Sequence, residues 1–322
     1  MNQQKWYTRE EAETTEEYGS IPEKRDLDKQ LKHGILLIDK PFGPESRQVT
    51  TWIKKELNLK KAGHFGTLDP NATGVLPIGL NKATRLNNTL AKTQKEYVFE
   101  ATLEQEKPEN EVREALNSFK GVNKQTPPEK SAVKQEERER HVHQTELLEK
   151  NQNHVLGRVK CESGFYIRVL IKQLGEKLDT EAEMEELRRT QQATVKENET
   201  ATLQDVVDAY HFYKQEGDEK KLRKVLHPKE KAVEHIPKIA VKDSAVNAVA
   251  NGADLGTGGI SKFQAKIKKQ ETVAITTLKG ELIALAEAEM NSEQLYDQEG
   301  TAATLKSVHM NPETYPRRWK QS

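Results

Sequence analysis

Apolar positions recur along this chain at two periods, which predict a mixture of strands and helices. Compact apolar runs or a period of two indicate strands, and an apolar face repeating every three to four residues indicates a helix. The predicted strands are 35–38, 95–103, 155–161 and a hairpin over 272–288 that turns at Lys279-Gly280. The predicted helices are 49–57 (with Trp52 on its apolar face), 110–121 (capped by Asn110, ended by Gly121), 167–178, 181–190, 203–214 and a short helix within 240–255.

This periodicity is interrupted between His227-Pro228 and Pro237, where prolines and charges cluster. At 322 residues the chain exceeds what one hydrophobic core usually organises. We therefore expect two domains that divide in this stretch.

Composition limits the possible functions further. The 51 basic and 51 acidic residues leave no net charge, which argues against indiscriminate nucleic-acid binding but permits a local basic groove. The one cysteine, Cys161, excludes an internal disulfide and shares a strand face with Val155 and Val159, so we expect a core thiol in a reducing compartment. No window is apolar enough to span a membrane, and the N-terminus lacks a signal core, which predicts a cytoplasmic protein.

The segment GHFGTLDPNATGVLPIG (63–79) is rich in glycine and proline and contains one acid, Asp69. It predicts a long loop, which could be a plain turn or a site, because a carboxylate among small residues can approach a substrate closely. Asp69 could then act as nucleophile, base or metal ligand. No group of ligand spacing surrounds it, His141-x-His143 is a poor zinc site, and phosphate-loop and dinucleotide motifs are missing. We expect chemistry without a metal or cofactor.

The extended segment GHFGTLDPNATGVLPIGLNKATRL resembles the signature loop of TruB-type pseudouridine synthases. The similarity begins at HGILLIDKPFGPES near residue 33 and continues through KEYV, SGFYIRVL and ELRRT in the family's order. The later stretch VKDSAVNAVANGADL resembles a PUA RNA-binding domain. Within the family, the chain is most similar to the archaeal and eukaryotic dyskerin branch, the catalytic subunits of H/ACA guide-RNA particles.

The resemblance implies an α+β fold: a catalytic domain on a mixed, mainly antiparallel sheet flanked by helices, and a small β-rich PUA domain. The implied division is an N-terminal arm (1–32) that packs on the PUA domain, a catalytic domain (33–234), the PUA domain (235–311) and a basic, aromatic tail (312–322).

The resemblance also implies roles for individual residues. Asp69 matches the catalytic aspartate, Tyr97 the tyrosine that packs on the target base, and Arg168 the arginine that pairs with the aspartate. His64, Tyr166 and Leu187 match residues around the flipped nucleotide. Without the resemblance, the favoured interpretation of Tyr97 is a core position and that of Arg168 is a surface position at the start of its helix. His64 is equally compatible with a hydrogen bond to loop carbonyls, and Leu187 is expected in the core under either interpretation.

RNA-binding candidates lie in the C-terminal region: Lys262, Lys266, Lys268, Lys269, Arg317 and Arg318. The tail that contains the two arginines could instead pack on its domain. The resemblance implies as partners an H/ACA guide RNA, a substrate rRNA or tRNA, and small zinc-ribbon, β-barrel and kink-turn-binding proteins. Guide dependence is favoured because little spare chain separates Tyr97 from Tyr166; a stand-alone tRNA isomerase and an RNA-binding scaffold are the alternatives.

Two departures from the family's pattern affect the expected site. Phe65 stands where the family has a small residue, so its ring either crowds the base or fills a gap. Gln191 and Gln192 follow LRRT where relatives tend to be basic or to contain glycine, which predicts weaker phosphate binding.

Overall fold

The computed structural model describes residues 5–127 and 134–317. The strands are β1 (Trp6–Thr8), β2 (Ile35–Lys40), β3 (Ala62–His64), β4 (Ala72–Leu80), β5 (Lys95–Leu103), β6 (Gly121–Gln125), β7 (Arg138–Asn151), β8 (His154–Cys161), β9 (Ala182–Gln192), β10 (Val195–Lys196), β11 (Leu226–His227), β12 (Lys238–Val241), β13 (Leu255–Gly256), β14 (Ile260–Gln264), β15 (Thr272–Thr277), β16 (Leu282–Ala288) and β17 (Thr301–Val308). The helices are α1 (Leu27–His33), α2 (Ser46–Glu56), α3 (Asn87–Ala91), α4 (Glu109–Asn117), α5 (Ile167–Lys177), α6 (Leu203–Glu216), α7 (Glu219–Val225), α8 (Asp243–Ala250) and α9 (Ser292–Asp297).

The chain forms two compact units. The larger unit is Leu31–His227, and the smaller one combines the described residues up to Gln30 with those from Pro228 onward. None of the helices in residues 5–127 and 134–317 has the length and apolar character that crossing a bilayer requires.

The larger unit is built on one sheet with the strand order β11-β2-β4-β9-β5-β8-β7-β6, to which β3 adds on β4 and β10 on β9. The β4 and β9 strands run parallel, and the other pairings described in this unit are antiparallel. Strand β5 alternates strictly, with Tyr97, Phe99 and Ala101 buried and the residues between them half-buried. The period of two predicted for this strand is confirmed.

The smaller unit contains a sheet with the order β1-β14-β12-β15-β16-β17-β13. Strands β12 and β15 are parallel, and the N-terminal strand β1 pairs antiparallel with β14, with Trp6 opposite Gln264. The predicted hairpin of β15 and β16 is confirmed, and its turn includes Gly280 at a φ of 88°. The expected α+β class, with a mixed sheet and helices in one unit and a β-rich second unit, is confirmed.

The prediction of a helix over 181–190 is wrong, because these residues form most of β9. Alanine, glutamate, methionine, leucine and arginine all favour helices, but the segment pairs with β5 along its whole length and with β4 near its end. The hydrogen bonds and side-chain contacts of a central strand outweigh a propensity of a few tenths of a kcal/mol per residue.

Three smaller expectations also need correction. Helix α4 begins after Pro108, so Asn110 lies in its first turn and not at the cap, and it ends at Asn117. Gly121 opens β6 with a φ of 102°. The Trp52 side chain is 42% exposed and does not join the core.

Candidate active site

The glycine-rich segment 63–79 is mostly strand, in contrast to the long loop expected from its sequence. Strands β3 and β4 pair with each other, and only residues 65–71 connect them. Asp69 lies in this connection, which we call the 65–71 loop, and its side chain is 58% exposed. The acid is therefore accessible to a large substrate.

Arg168 lies in the first turn of α5 and pairs with this acid. Its Nη2 atom donates a hydrogen bond of 2.7 Å to Asp69 Oδ2, and the arginine side chain is 51% exposed. The residues are 99 positions apart in the chain. The predicted pairing is present, and a charge-assisted hydrogen bond of this length orients the carboxylate.

The side chain of Arg189 fixes the first half of the 65–71 loop. It has no exposed surface, and its guanidinium donates to the carbonyl oxygens of Gly66 at 3.1 Å, Thr67 at 3.3 Å and Val75 at 2.7 Å. A planar group with five donors suits several carbonyls at once. Arg189 is a site residue that our sequence analysis missed, although it lies within the quoted ELRRT motif.

Two further buried side chains fix the second half. The Ser46 hydroxyl donates to the carbonyl oxygen of Leu68 and accepts from the Leu68 amide, both at 2.8 Å. The Lys40 ammonium donates to the carbonyl oxygens of Pro70 at 3.0 Å and Ala72 at 2.8 Å. Burial lowers the pKa of Lys40, and the negative charge of Asp69 partly offsets this effect.

Tyr97 lies opposite Arg189 in the pairing of β5 with β9. Burial raises the pKa of the Tyr97 phenol, and the neighbouring guanidinium partly offsets the rise. Burial of Arg189 lowers the pKa of its guanidinium, and the charge interaction and hydrogen bond with Tyr97 offset part of this decrease. Tyr97 is buried, with 9% of its surface exposed.

The structure brings the other predicted residues close to the same loop. His64 ends β3 immediately before it, and burial followed by the charge of Arg189 lowers the pKa of this imidazole. No atom of residues 5–127 or 134–317 forms a hydrogen bond with the buried His64 Nδ1. Leu187 is half-buried beside Ala72, whose amide donates to the Asp69 carbonyl.

Tyr166 is held at the N-terminus of α5, two residues before Arg168. Its backbone amide donates to Gln125 Oε1 at 2.9 Å, and its carbonyl oxygen accepts from Gln125 Nε2 at 3.1 Å. The Tyr166 side chain is half-buried. Gln125 thus orients the start of the helix that carries Arg168.

Phe65 does not crowd the site. Its ring is fully buried below Gly79, where an added Cβ would lie 2.4 Å from Phe65 Cζ. Gln192 is also fully buried, and its Nε2 donates to the carbonyl oxygens of Phe65 and Leu90. Gln191 donates to a backbone carbonyl two residues later. The prediction of weaker phosphate binding therefore gains no support from Gln192, because this side chain cannot reach an RNA phosphate.

The core position predicted for Cys161 is confirmed. The thiol is fully buried, and burial raises its pKa to about 12. Lys95 lies opposite Cys161 in the pairing of β5 with β8, and burial followed by the charge of Arg189 lowers the pKa of this lysine to about 8. Lys95 donates to the carbonyl oxygens of Ala91 and Thr93.

The RNA-binding candidates of the smaller unit occupy different environments. Lys266, Lys268 and Lys269 are exposed, and the Lys262 ammonium lies 5.4 Å from the Trp6 ring. Arg317 lines a cavity of about 790 Å³ together with residues of α8, and Arg318 lies outside the described residues. Among residues 5–127 and 134–317, no three His, Cys, Asp or Glu side chains are grouped so as to hold a metal ion.

Comparisons with known protein families match nearly the whole chain. Residues 54–167 match the TruB family pseudouridylate synthase (N terminal domain), and 168–234 match the tRNA pseudouridylate synthase B C-terminal domain. Residues 237–308 match the PUA domain, and 1–50 match the DKCLD domain.

Two archaeal relatives, each described as a probable tRNA pseudouridine synthase B, are similar over almost their full length. The protein of Methanocaldococcus jannaschii is 45% identical over 97% of this chain and 94% of its own. That of Pyrococcus furiosus is 47% identical over 97% of this chain and 92% of its own. The chain belongs to the TruB family of pseudouridylate synthases.

Solved structures agree with this assignment. A chain of a Cbf5-Nop10-Gar1 complex superposes with a TM-score of 0.92, at 45% identity and with 98% of this chain and 96% of that chain covered. A chain of an H/ACA RNP bound to a substrate RNA containing 2'-deoxyuridine gives a TM-score of 0.92 at 43% identity, with 98% of each chain covered.

Proposed function

We propose that this chain is the catalytic subunit of a guide-RNA (H/ACA) particle and isomerises uridine to pseudouridine in ribosomal RNA, with transfer RNA as a second substrate class, in the cytoplasm. The observation that carries the proposal is the exposed Asp69–Arg168 pair on a loop whose backbone is fixed by buried side chains. Similarity to subunits of a Cbf5-Nop10-Gar1 complex and of an H/ACA RNP supports guide dependence.

In the proposed reaction, the Asp69 carboxylate adds to the uridine, and the bond from the ribose to N1 of the base breaks. The base then rotates, its C5 bonds to the ribose, and the bond to Asp69 breaks, which frees the carboxylate. The proton from C5 is lost while N1 gains one. This isomerisation consumes no oxidant and no co-substrate. Arg168 orients the carboxylate through a charge-assisted hydrogen bond of 2.7 Å.

The target base must leave its stack before Asp69 can reach it, at a cost of a few kcal/mol. Tyr97 supplies an aromatic surface that offsets part of this cost, and Arg189 contacts the Tyr97 phenol. His64, Tyr166 and Leu187 line the space around the base. The lowered pKa of His64 keeps its imidazole neutral at pH 7.

We assign 33–234 to the catalytic domain, 235–311 to the PUA domain, 1–32 to an arm on the PUA domain, and 312–322 to the tail. Lys262, Lys266, Lys268, Lys269, Arg317 and Arg318 are the proposed contacts to the guide RNA.

Between Tyr97 and Tyr166, the described residues form one helix and three strands plus the end of β5, with no further folded segment that would grip an RNA stem. The substrate is instead presented by a guide RNA and by small zinc-ribbon, β-barrel and kink-turn-binding proteins, which take the place of an RNA-gripping segment.

The test reconstitutes the particle with a designed guide and a matching RNA, and measures pseudouridine formation by the parent and by Asp69→Asn. We expect product from the parent only, with RNA still bound by the variant. Asp208→Asn, which changes an exposed aspartate on α6, is the control and should retain activity. Equal product from the parent and Asp69→Asn would remove Asp69 from the mechanism.

A second arm omits the guide RNA and offers a tRNA transcript. Full activity there would identify a stand-alone tRNA isomerase. The two archaeal relatives are each described as a probable tRNA pseudouridine synthase B. RNA retention without product in the complete particle would identify a scaffold.

A further inference from the structure

An exposed aromatic ring lies beside the catalytic loop and has no role in the mechanism above. Phe42 is 66% exposed, which is the largest exposed fraction of any large hydrophobic residue in the described part of the chain. It occupies the turn after β2, between Pro41 and Gly43, which are both exposed as well. Gly43 has a φ of 107°, and an added Cβ there would meet no atom within 4 Å. This turn is therefore open to solvent on the protein surface.

The turn is fixed to the loop that carries the catalytic aspartate. The Gly43 amide donates to the Pro70 carbonyl at 2.9 Å. The buried Lys40 ammonium bridges the same two segments, at 2.9 Å from the Pro41 carbonyl oxygen and 3.0 Å from that of Pro70. Phe42 thus immediately precedes Gly43, whose amide is hydrogen-bonded to Pro70, and Pro70 directly follows Asp69. The backbone of the turn is thereby fixed to the 65–71 loop by one backbone hydrogen bond and by the Lys40 side chain.

The segments around this turn carry two arginines, Arg47 and Arg168, and two acids, Glu45 and Asp69. Arg168 pairs with Asp69, and Arg47 is exposed in the first turn of α2, next to the Ser46 that binds the 65–71 loop. Glu45 is the exposed acid of this stretch, at the N-cap of the same helix. An exposed aromatic ring with neighbouring arginines is the combination that binds single-stranded RNA, in which bases stack on the ring and cations contact the backbone.

We propose that Phe42 is a stacking platform for the nucleotide next to the target uridine in the substrate strand. When the target base leaves the stack, the neighbouring base loses a stacking partner, and an anchored ring beside Asp69 replaces it. The inference rests on the proposed function, because it requires an RNA strand at Asp69. Phe42 is a substrate-positioning residue and takes no part in bond making.

The direct test is fluorescence of 2-aminopurine, which is quenched on stacking, placed either 5' or 3' of the target uridine in two substrate RNAs. Binding is measured to particles that contain Asp69→Asn, so that no turnover is required. We expect quenching at one of the two positions, its loss with Phe42→Ala and its return with Phe42→Trp. Val122→Ala is the matched control, since Val122 is 65% exposed and lies on β6, at the opposite end of the sheet order from β2.

Kinetics provide the second readout. A stack made equally in the ground state and the transition state changes KM and not kcat. For a base–aromatic stack, we expect Phe42→Ala to raise KM by about 5- to 150-fold with kcat within about twofold of the parent. Phe42→Trp should return KM toward the parent value, and Val122→Ala should leave both constants unchanged.

Three results would overturn the proposal: no quenching at either position, quenching that persists in Phe42→Ala, or loss of an accessory protein from the particle in Phe42→Ala with an unchanged fluorescence response. The last result would assign the ring to a protein contact. Failure of the proposed function is distinguishable from all three, because it would appear as an absence of product from the parent while the binding signal is still measurable.

Discussion

The Ser46 hydroxyl both donates to the carbonyl oxygen and accepts from the amide of Leu68, the residue before Asp69, at 2.8 Å in each direction. Ser46 is 2% exposed, so this exchange takes place away from water. The N-terminus of α2 and the 65–71 loop are thereby joined through the Ser46 hydroxyl oxygen. If Asp69 is the nucleophile as proposed, preorganisation of this kind keeps it in place without a reorganisation cost during the reaction.

Ser46→Ala should therefore lower both stability and kcat. The substitution leaves a buried carbonyl and amide without partners, which costs about 1–3 kcal/mol of unfolding free energy. Denaturant unfolding and single-turnover product formation provide the measurements, with kcat expected to fall more than KM rises. Thr51→Ala on the same helix removes an exposed hydroxyl that bonds to the Arg47 carbonyl, and should change stability by less than about 0.5 kcal/mol. Equal effects of the two substitutions would refute a special role of Ser46.

Arg189→Lys should be severely destabilising despite the retained charge. A lysine cannot supply the planar set of donors that reaches the carbonyls of Gly66, Thr67 and Val75 together. At least one buried carbonyl would lose its partner, so we expect a loss of about 2 kcal/mol or more. The adjacent Arg188→Lys, at a side chain that is 37% exposed, should cost less than about 1 kcal/mol. The comparison is made by urea unfolding, and a tolerated Arg189→Lys would contradict the structure.

Lys95 should make the protein more stable as pH rises from 7 to 9. Its pKa is about 8 in the folded chain and 10.5 as its ordinary value, so above pH 8 the unfolded state binds the proton that the folded state releases. Stability then increases with pH, by at most about 1.4 kcal/mol per pH unit from this group.

Lys95→Met should remove this rise, which is measured as the difference between parent and variant in unfolding free energy at each pH. Exposed Lys92→Met is the control and should keep the parent's slope. Parallel curves for the parent and Lys95→Met would show that Lys95 is not desolvated.

Cys161 should resist thiol reagents while the protein is folded. Only the thiolate reacts, and a pKa of about 12 instead of 9 lowers the thiolate fraction near pH 8 by about a thousandfold. Labelling by a disulfide reagent should be complete within minutes in guanidinium chloride and negligible in buffer, and Cys161→Ala should give no signal in either. Rapid stoichiometric labelling of the native chain would exclude a core thiol.

Much of the fold and part of the site follow from local patterns. The period of two in β5, the apolar face of α5 and the hairpin at Gly280 each depend on residues close together in the chain, and all three are present. Asp69 was identified from its own segment, because an isolated acid among glycines and prolines is unusual and the motif resembles a known family.

The features that escaped prediction depend on contacts between distant residues. Strand β9 has a helix-forming composition and becomes a strand through its pairing with β5 and β4. The role of Arg189 depends on the carbonyl groups of Gly66 and Val75, more than 110 positions earlier in the chain. Every residue has a backbone carbonyl, so the sequence does not indicate which of them a distant arginine will bind. The Phe65 ring packs against Gly79 because glycine has no side chain there, and no local pattern predicts this contact between residues 14 positions apart.

The sequence by itself determined which acid is the candidate, Asp69, as well as the periodicity of most elements and the family resemblance. These features depend on residue types and on short spacings along the chain. Which atoms restrain the acid, and how far it is exposed, were decided by folding, because hydrogen bonds and desolvation arise only when remote segments pack together. The 58% exposure of the Asp69 side chain and the full burial of Arg189 illustrate this division: neither value follows from residue type, since arginine is seldom buried.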